Sequence, residues 1–131
     1  MKTEPVILIP ARAGTSNISR QNLRLVGNKP LIYYVIKSAL KITSNVFVST
    51  DSYEIREISK LYGAKIINRS KHLTKNSTKL EDIAFEALSK LHKEKNFSKI
   101  YKYAKNNFKP YIIGKIIRNK NKIVFNEKIK W

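Results

Sequence analysis

The chain has 131 residues, no cysteine and a net charge of +18. This length fits a single domain, and the lack of cysteine excludes disulfides and thiolate metal sites. His72 and His92 lie too far apart in the sequence to indicate an imidazole-rich metal site. The apolar runs are shorter than the roughly 20 residues of a membrane-spanning helix, so we expect a cytoplasmic protein outside the membrane.

Strand and helix patterns alternate along residues 5–91. The continuous apolar run 5–9 is typical of a strand covered on both faces, and residues 46–48 and 65–67 form the next two strand patterns. A segment with apolar residues at helical spacing follows each of them. Alternation of this kind predicts a mainly parallel sheet.

Three amphipathic helices are predicted in this region, each with an apolar stripe that faces the core. Pro30 suits the start of the first. Asp51, with Glu54 three residues later, matches a capping box for the second, and Gly63 is a suitable left-handed stop at its end. The stripes are Leu31, Ile32, Val35, Ile36, Ala39 and Leu40; Ile55, Ile58, Leu61 and Tyr62; and Leu80, Ile83, Ala84, Ala87, Leu88 and Leu91.

The composition changes after residue 97. Residues 98–131 contain ten lysines and arginines and one acid, which together make up half of the net charge. Residues 100–103 suggest a fourth strand, and residues 111–117 and 122–125 suggest a β-hairpin. This segment fits a solvated lysine-rich tail, and its interleaved aromatic and basic residues also fit a nucleic-acid surface. We do not expect nucleic acid to be the main partner.

Polar and cationic residues follow the first strand directly. Ligands of open α/β sheets bind at the carboxyl ends of the strands, and the arginine fork suits phosphate oxygens. The loop lacks both the P-loop spacing and the GxGxxG dinucleotide spacing, so it indicates either a phosphate site or an ordinary surface turn. Its polar residues are Arg12, Gly14, Thr15, Ser16, Arg20 and Asn22.

The motifs within residues 5–91 resemble the CMP-sialic acid synthetases, also called acylneuraminate cytidylyltransferases. Such nucleotidyltransferases use CTP and a divalent cation, usually Mg²⁺, to convert a nine-carbon (nonulosonic or sialic) sugar acid into its CMP-sugar and release pyrophosphate. The resemblance therefore implies CTP and a sugar acid as partners, and a homodimer is a further expectation. The motifs are Ile9-Pro-Ala-Arg-Ala-Gly-Thr15, Ile18, Arg20, Asn22-Leu23, Gly27-Asn-Lys-Pro-Leu31, Val48-Ser-Thr-Asp51, Tyr62-Gly-Ala64 and Arg69.

The resemblance also implies roles for individual residues. Arg12 and Gln21 stand at catalytic positions, and Arg12 with the backbone near Gly14 and Thr15 is expected to cradle the triphosphate. Fixed donors of this kind stabilise the charge that develops on the leaving pyrophosphate. Asn22 is expected to contact the nucleotide, and Arg69 to lie by the cytosine and ribose. The remaining nucleotide-binding positions are Ala11, Arg20, Ser49 and Asp51.

The chain departs from the family pattern in its charges. Family members usually carry lysine at the position of Gln21, and Ser16 also stands where lysine is common. Glutamine cannot neutralise a phosphate, and losing such a contact costs roughly 10²–10³ in rate. Asp51 has helix capping as an alternative role, and one carboxylate does not make a magnesium site, so no metal ligand is assigned.

These observations lead to one prediction with open alternatives. We predict an α/β, Rossmann-like fold with a mainly parallel three- or four-stranded sheet and flanking helices. Residues 1–97 form a nucleotide-binding half-domain, and residues 98–131 form a divergent, basic, β-rich tail packed on it or extending it. The family's second half is not recognisable, so we expect a truncated or diverged cytidylyltransferase with reduced or no activity alone. The alternatives are a non-catalytic nucleotide- or phosphate-binding relative and a basic nucleic-acid binder.

Overall fold

A computed structural model describes residues 5–14 and 19–92. Within these residues, strands alternate with helices as the sequence predicts, with two short 3-10 helices at Gln21–Leu23 and Lys71–Leu73. The α/β, Rossmann-like prediction is confirmed. In chain order the elements are β1 (Ile7–Pro10), β2 (Leu25–Val26), β3 (Lys29–Pro30), α1 (Leu31–Leu40), β4 (Val46–Thr50), α2 (Tyr53–Leu61), β5 (Lys65–Asn68) and α3 (Leu80–His92).

The main sheet has three parallel strands in the order β1-β4-β5. Strand β4 is central, and all five of its residues are buried. Ile7 pairs with Val46 at the start of β1, and Phe47 pairs with Lys65 at the start of β5. The short strands β2 and β3 pair separately as an antiparallel hairpin. Because the three main strands are parallel, their carboxyl ends lie at the same edge of the sheet.

Helices α1 and α2 pack on the sheet and contact each other. Both crossovers move the chain in the same direction across the sheet, so the right-handed rule places both helices on the same face. This arrangement encloses an apolar core, and each valine or isoleucine side chain buried in it contributes about 1.5–3 kcal/mol of transfer free energy. The fully enclosed members are Ala11, Ile32, Ile36, Ala39, Val46, Val48, Ile55 and Ala64.

Two residues of the predicted helix stripes are exposed. Val35 of α1 is 40% exposed, and Leu61 at the end of α2 is 77% exposed. Ser59 is completely buried instead, since it lies four residues after the buried Ile55 on the same face of α2. The chain turns off the helix just after Leu61. Gly63 makes this turn with φ +97, and an added Cβ would lie 3.3 Å from Cδ1 of Leu40. The left-handed stop predicted at Gly63 is confirmed.

The predicted cap of α2 is wrong by one residue. The hydroxyl of Ser52 accepts the hydrogen bond from the Ile55 N–H, at 3.3 Å, and Ser52 is the N-cap. The Thr50 hydroxyl accepts from the Ser52 N–H at 3.1 Å and fixes the entry to the helix. Asp51 lies one residue too early to cap and is exposed, so its carboxylate is not used by the helix.

This correction predicts unequal effects of two substitutions on stability. Ser52→Ala should lower the free energy of unfolding by about 1 kcal/mol, because it removes the capping oxygen. Asp51→Ala should change it by less than about 0.5 kcal/mol, as is usual for a surface position. Urea unfolding followed by circular dichroism measures both. A larger loss for Asp51→Ala than for Ser52→Ala would restore the capping role to Asp51.

The contacts divide the chain into two compact units at Thr78. In the second unit, α3 buries most of its predicted stripe, namely Ile83, Ala84, Ala87 and Leu91. The predicted strands after residue 97 and the basic tail lie outside the described residues, and the domain boundary at residue 97 stays a prediction. None of the helices in residues 5–14 and 19–92 combines the length and apolar character needed to cross a bilayer.

Candidate functional site

The carboxyl ends of β1, β4 and β5 meet along one edge of the sheet. The Ala11 N–H donates to the carbonyl of Ser49 at 2.9 Å, and the Arg69 N–H donates to the carbonyl of Thr50 at 2.9 Å. These bonds extend the strand pairings beyond the ends of the strands. The same register, continued by one or two residues, places Arg12, Asp51 and Arg69 in one row. The first loop therefore begins beside the segment 49–51, at adjacent parallel strand ends.

The first loop folds back so that its two ends lie side by side. Gly14 and Ser19 form an antiparallel bridge, and Arg20 then takes a left-handed conformation with φ 53. The Leu23 N–H donates to the Arg20 carbonyl at 2.9 Å and closes the 3-10 turn. Left-handed backbone is uncommon for a residue with a side chain, so Arg20 is held there by its surroundings. Thr15 lies outside the described residues.

Asn22 fixes the backbone at the start of this loop. Its side-chain amide donates to the Arg12 carbonyl at 3.0 Å. Sequence reasoning assigned Asn22 to the nucleotide and missed this contact. The bond joins the two sides of the loop and orients the segment that presents Arg12, so Asn22 positions Arg12 whether or not it also contacts a ligand.

Arg12 and Asp51 present their charges at this edge. Arg12 is half-buried and Asp51 is exposed. Within the described part of the chain, neither side chain makes a hydrogen bond or an ion pair. A guanidinium offers five N–H donors in a planar fork that matches phosphate oxygens. Arg12 is therefore well placed to receive an anionic ligand at the carboxyl edge.

Two other predicted residues bind to each other. The Arg69 guanidinium donates to the Ser49 carbonyl at 2.7 Å and to the Ser49 hydroxyl at 3.3 Å. Ser49 is fully buried and Arg69 is 7% exposed. A buried cation needs such partners to offset its lost hydration. The pair joins β4 to the segment after β5 by a buried polar contact.

Ala11 holds the start of the loop against β4. Its side chain lies in the apolar core, and its N–H is bonded to Ser49. Neither group is free for a ligand. The predicted nucleotide contact of Ala11 stays a prediction. The structure shows that the Ala11 backbone bonds the loop to β4.

Arg20 and Gln21 have different surroundings. Arg20, predicted as a phosphate cation, forms an ion pair with Glu54 in the first turn of α2, with 2.7 Å between Nη2 and Oε2. Gln21 is half-buried at the start of the 3-10 turn, and its carbonyl accepts from the Arg24 N–H at 3.3 Å. Sequence reasoning did not find Glu54 as the partner of Arg20.

The described residues at this edge do not by themselves make a magnesium site. The described segments contain no group of three or more His, Asp or Glu side chains close enough to hold a metal ion. Magnesium in nucleotide sites uses one or two carboxylates together with phosphate oxygens and water. At this edge Asp51 is the carboxylate without a cationic partner in the described residues, since Glu54 is bonded to Arg20. No step of the chemistry is therefore assigned to a metal ligand here.

The fold and the polar edge define an α/β, Rossmann-like protein, and comparison with known proteins identifies its family. A model of the cytidylyltransferase family matches residues 6–116. The chain belongs to this family. The match extends beyond residue 91, where the resemblance seen in the sequence ends.

Curated relatives agree with this assignment. The chain is 35% identical over 89 residues to N-acylneuraminate cytidylyltransferase A of Danio rerio, covering 66% of this chain and 20% of the relative. It is 32% identical over 91 residues to N-acylneuraminate cytidylyltransferase of Escherichia coli O18:K1:H7, covering 68% and 22%. It is 41% identical over 61 residues to CMP-N,N'-diacetyllegionaminic acid synthase of Legionella pneumophila, covering 45% and 26%. The matched segments thus span about a fifth to a quarter of these relatives.

Proposed function

We propose that this chain binds CTP at the carboxyl edge of β1, β4 and β5 and serves the transfer of CMP to a nine-carbon sugar acid. The observation on which this rests is the placement of Arg12 at adjacent parallel strand ends, in register with Asp51 and Arg69. The printed names of the relatives, which are acylneuraminate cytidylyltransferases and a CMP-legionaminic acid synthase, support the choice of CTP and of the sugar-acid class.

The proposed reaction is an in-line displacement at phosphorus. A hydroxyl oxygen of the sugar acid forms a bond to the α-phosphorus of CTP and releases its proton to solvent. The bond from that phosphorus to the oxygen bridging to the β-phosphate breaks, and pyrophosphate leaves with the electron pair. Arg12 donates to the phosphate oxygens as their charge increases, which is the form of electrostatic stabilisation that fixed donors provide.

The other groups have supporting roles in this proposal. Asn22 holds the backbone of Arg12 in place, and the bridge between Gly14 and Ser19 sets the shape of the loop. The cytosine and ribose are proposed to bind next to the hydrogen-bonded pair of Ser49 and Arg69. Divalent metal ions are general in nucleotidyltransferases, and Mg²⁺, a homodimer and a cytoplasmic location belong to the proposal as well.

A titration with four nucleotides tests the proposed ligand. We expect the chain to bind CTP about two- to tenfold more tightly than ATP, GTP or UTP, which is what one additional hydrogen bond to the base provides. Isothermal titration calorimetry at fixed magnesium and salt concentrations measures the four affinities. Equal affinity for all four would mean that the edge binds triphosphate without reading cytosine.

A non-catalytic nucleotide-binding role is the second candidate. Gln21 favours it, because the related synthetases usually carry a cationic lysine at this position. A catalytic chain releases pyrophosphate in the presence of CTP and a sugar acid, whereas a binding protein retains the nucleotide unchanged. Nucleic-acid binding is a weaker third candidate that rests on the charge of +18. It requires an oligonucleotide affinity that falls steeply with salt concentration.

A further inference from the structure

One ion pair links the two segments that form the candidate edge. Arg20 lies in the loop after β1, and Glu54 lies in the first turn of the helix after β4. Their side chains meet at 2.7 Å, and both remain about half exposed, at 62% and 52%. The pair therefore lies at the surface, where solvent and a ligand can reach it.

Both partners are held in place by their own backbones. Arg20 is fixed in the left-handed region by the 3-10 turn that follows it. Glu54 is fixed by the Ser52 cap at the start of α2. A carboxylate in the first turn of a helix is also stabilised by the helix dipole. Glu54 therefore keeps a favourable environment when Arg20 leaves it.

We propose that Glu54 acts as an internal substitute for phosphate. In the absence of nucleotide it holds the Arg20 guanidinium at the edge, and it yields this guanidinium to the triphosphate when nucleotide binds. This inference rests on the proposed function, since it places the phosphates beside Arg20. It assigns to Glu54 the role of a residue that lowers and tunes the affinity for polyphosphate, a role that neither the motifs nor the family resemblance gives it.

The exchange is favourable for physical reasons. An exposed ion pair contributes little to stability because water solvates both charges, so Arg20 leaves Glu54 at little cost. A triphosphate has several charged oxygens and accepts from the arginine fork more strongly than one carboxylate does. A monophosphate has fewer of them, so Glu54 competes more effectively with it. Glu54 therefore lowers the affinity for both ligands and eases the release of a monophosphate product.

A simple structural brace predicts the opposite result. If the pair only fixed the loop, removal of either partner would loosen the loop and weaken anion binding. If Glu54 competes with phosphate, Glu54→Gln strengthens binding and Arg20→Gln weakens it. The sign of the Glu54→Gln effect therefore separates the two roles.

Inorganic tripolyphosphate is the probe for this test, because it carries the phosphate charge without the nucleoside. The control is Glu57→Gln, which removes the same charge one turn further along α2, where Glu57 bonds Lys60 at 2.9 Å. We expect Glu54→Gln to bind the probe about two- to fivefold more tightly than Glu57→Gln does, the range expected for releasing an exposed pair. In an Arg20→Gln background, Glu54→Gln should have no more effect than Glu57→Gln.

An NMR measurement on the unmodified chain complements the titrations of the variants. Addition of tripolyphosphate should shift the NMR signal of the Arg20 side-chain Nε–Hε group, while the signal of Arg24 changes less. The proposal is overturned if Glu54→Gln binds the probe as Glu57→Gln does or more weakly, or if the Arg20 signal does not move.

The proposed function is tested by separate results. It fails if CTP is not preferred over the other nucleotides or if Arg12→Ala leaves CTP binding unchanged. Tripolyphosphate binding that responds to Glu54 while CTP shows no preference would sustain the exchange and reject the cytidylyl assignment. CTP binding that depends on Arg12 but not on Glu54 would sustain the assignment and reject the exchange.

Discussion

Arg12→Ala should weaken CTP binding about 10- to 100-fold. A hydrogen bond between charged groups contributes about 1.5–3 kcal/mol, and each 1.4 kcal/mol corresponds to a factor of ten in affinity. Arg12 is half-buried and lies at the strand ends, so solvent screens it less than a fully exposed cation. Calorimetric titration with CTP, at one salt concentration, measures the loss.

Two control variants separate geometry from charge. Arg12→Lys keeps the charge but loses the planar fork, so it should retain part of the affinity and bind more tightly than Arg12→Ala. Lys37→Ala removes one positive charge from the exposed face of α1 and should have little effect on CTP. If Arg12→Ala and Lys37→Ala bind CTP equally well, the first loop is not the phosphate site.

The arrangement of the edge could be predicted from the sequence because it depends on strong rules. Apolar strand patterns separated by helical patterns leave few alternatives to a parallel sheet with right-handed crossovers. That topology brings the residues after β1 next to those after β4, whatever the loops do in detail. The relative placement of Arg12 and Asp51 follows from this alone.

The contacts within the edge could not be predicted in the same way. Asp51 and Ser52 are both good N-cap residues, and the choice between them depends on a shift of one residue at the end of β4. The Arg20–Glu54 pair is exposed, and exposed pairs of this kind contribute too little energy to constrain a sequence pattern. Asn22 could bond either a ligand or the backbone, and its hydrogen-bonding groups are the same in both cases.

The errors in the helix stripes have a related cause. Helical spacing predicts which residues share a face, but it does not say where a helix ends. Leu61 continues the stripe of α2 in sequence, yet the helix ends there and Gly63 turns the chain toward β5. Ser59 is buried instead, on the same face of α2 as Ile55.

Gln21→Lys should increase catalysis more than any other single change in the first loop. We expect the unmodified chain, supplied with CTP, Mg²⁺ and a nonulosonic acid, to release pyrophosphate more slowly than about 1 per second, the lower end of the usual range for enzymes. Gln21→Lys should raise this rate about 10²-fold, since one well-placed donor to a developing anion is worth roughly 10²–10³ in rate.

The physical basis of this expectation is the position of residue 21. Gln21 is half-buried in the 3-10 turn, between Arg20, which is bonded to Glu54, and Asn22, which holds the Arg12 carbonyl. A lysine there adds a cation on the same turn that orients Arg12, and it does so without needing Arg20 to leave Glu54. The added charge should also tighten CTP binding more than CMP binding, because the triphosphate has more charge to neutralise.

Gln21→Met is the matched control, since it changes the polarity of the side chain at nearly constant length and adds no charge. The rate of pyrophosphate release and the affinities for CTP and CMP are measured for the unmodified chain and both variants. If Gln21→Lys matches Gln21→Met in rate and in CTP affinity, residue 21 does not face the phosphates. Turnover by the unmodified chain well within the range of about 1–10³ per second would show that glutamine already suffices, and that Arg12 and Arg20 supply the charge the reaction needs.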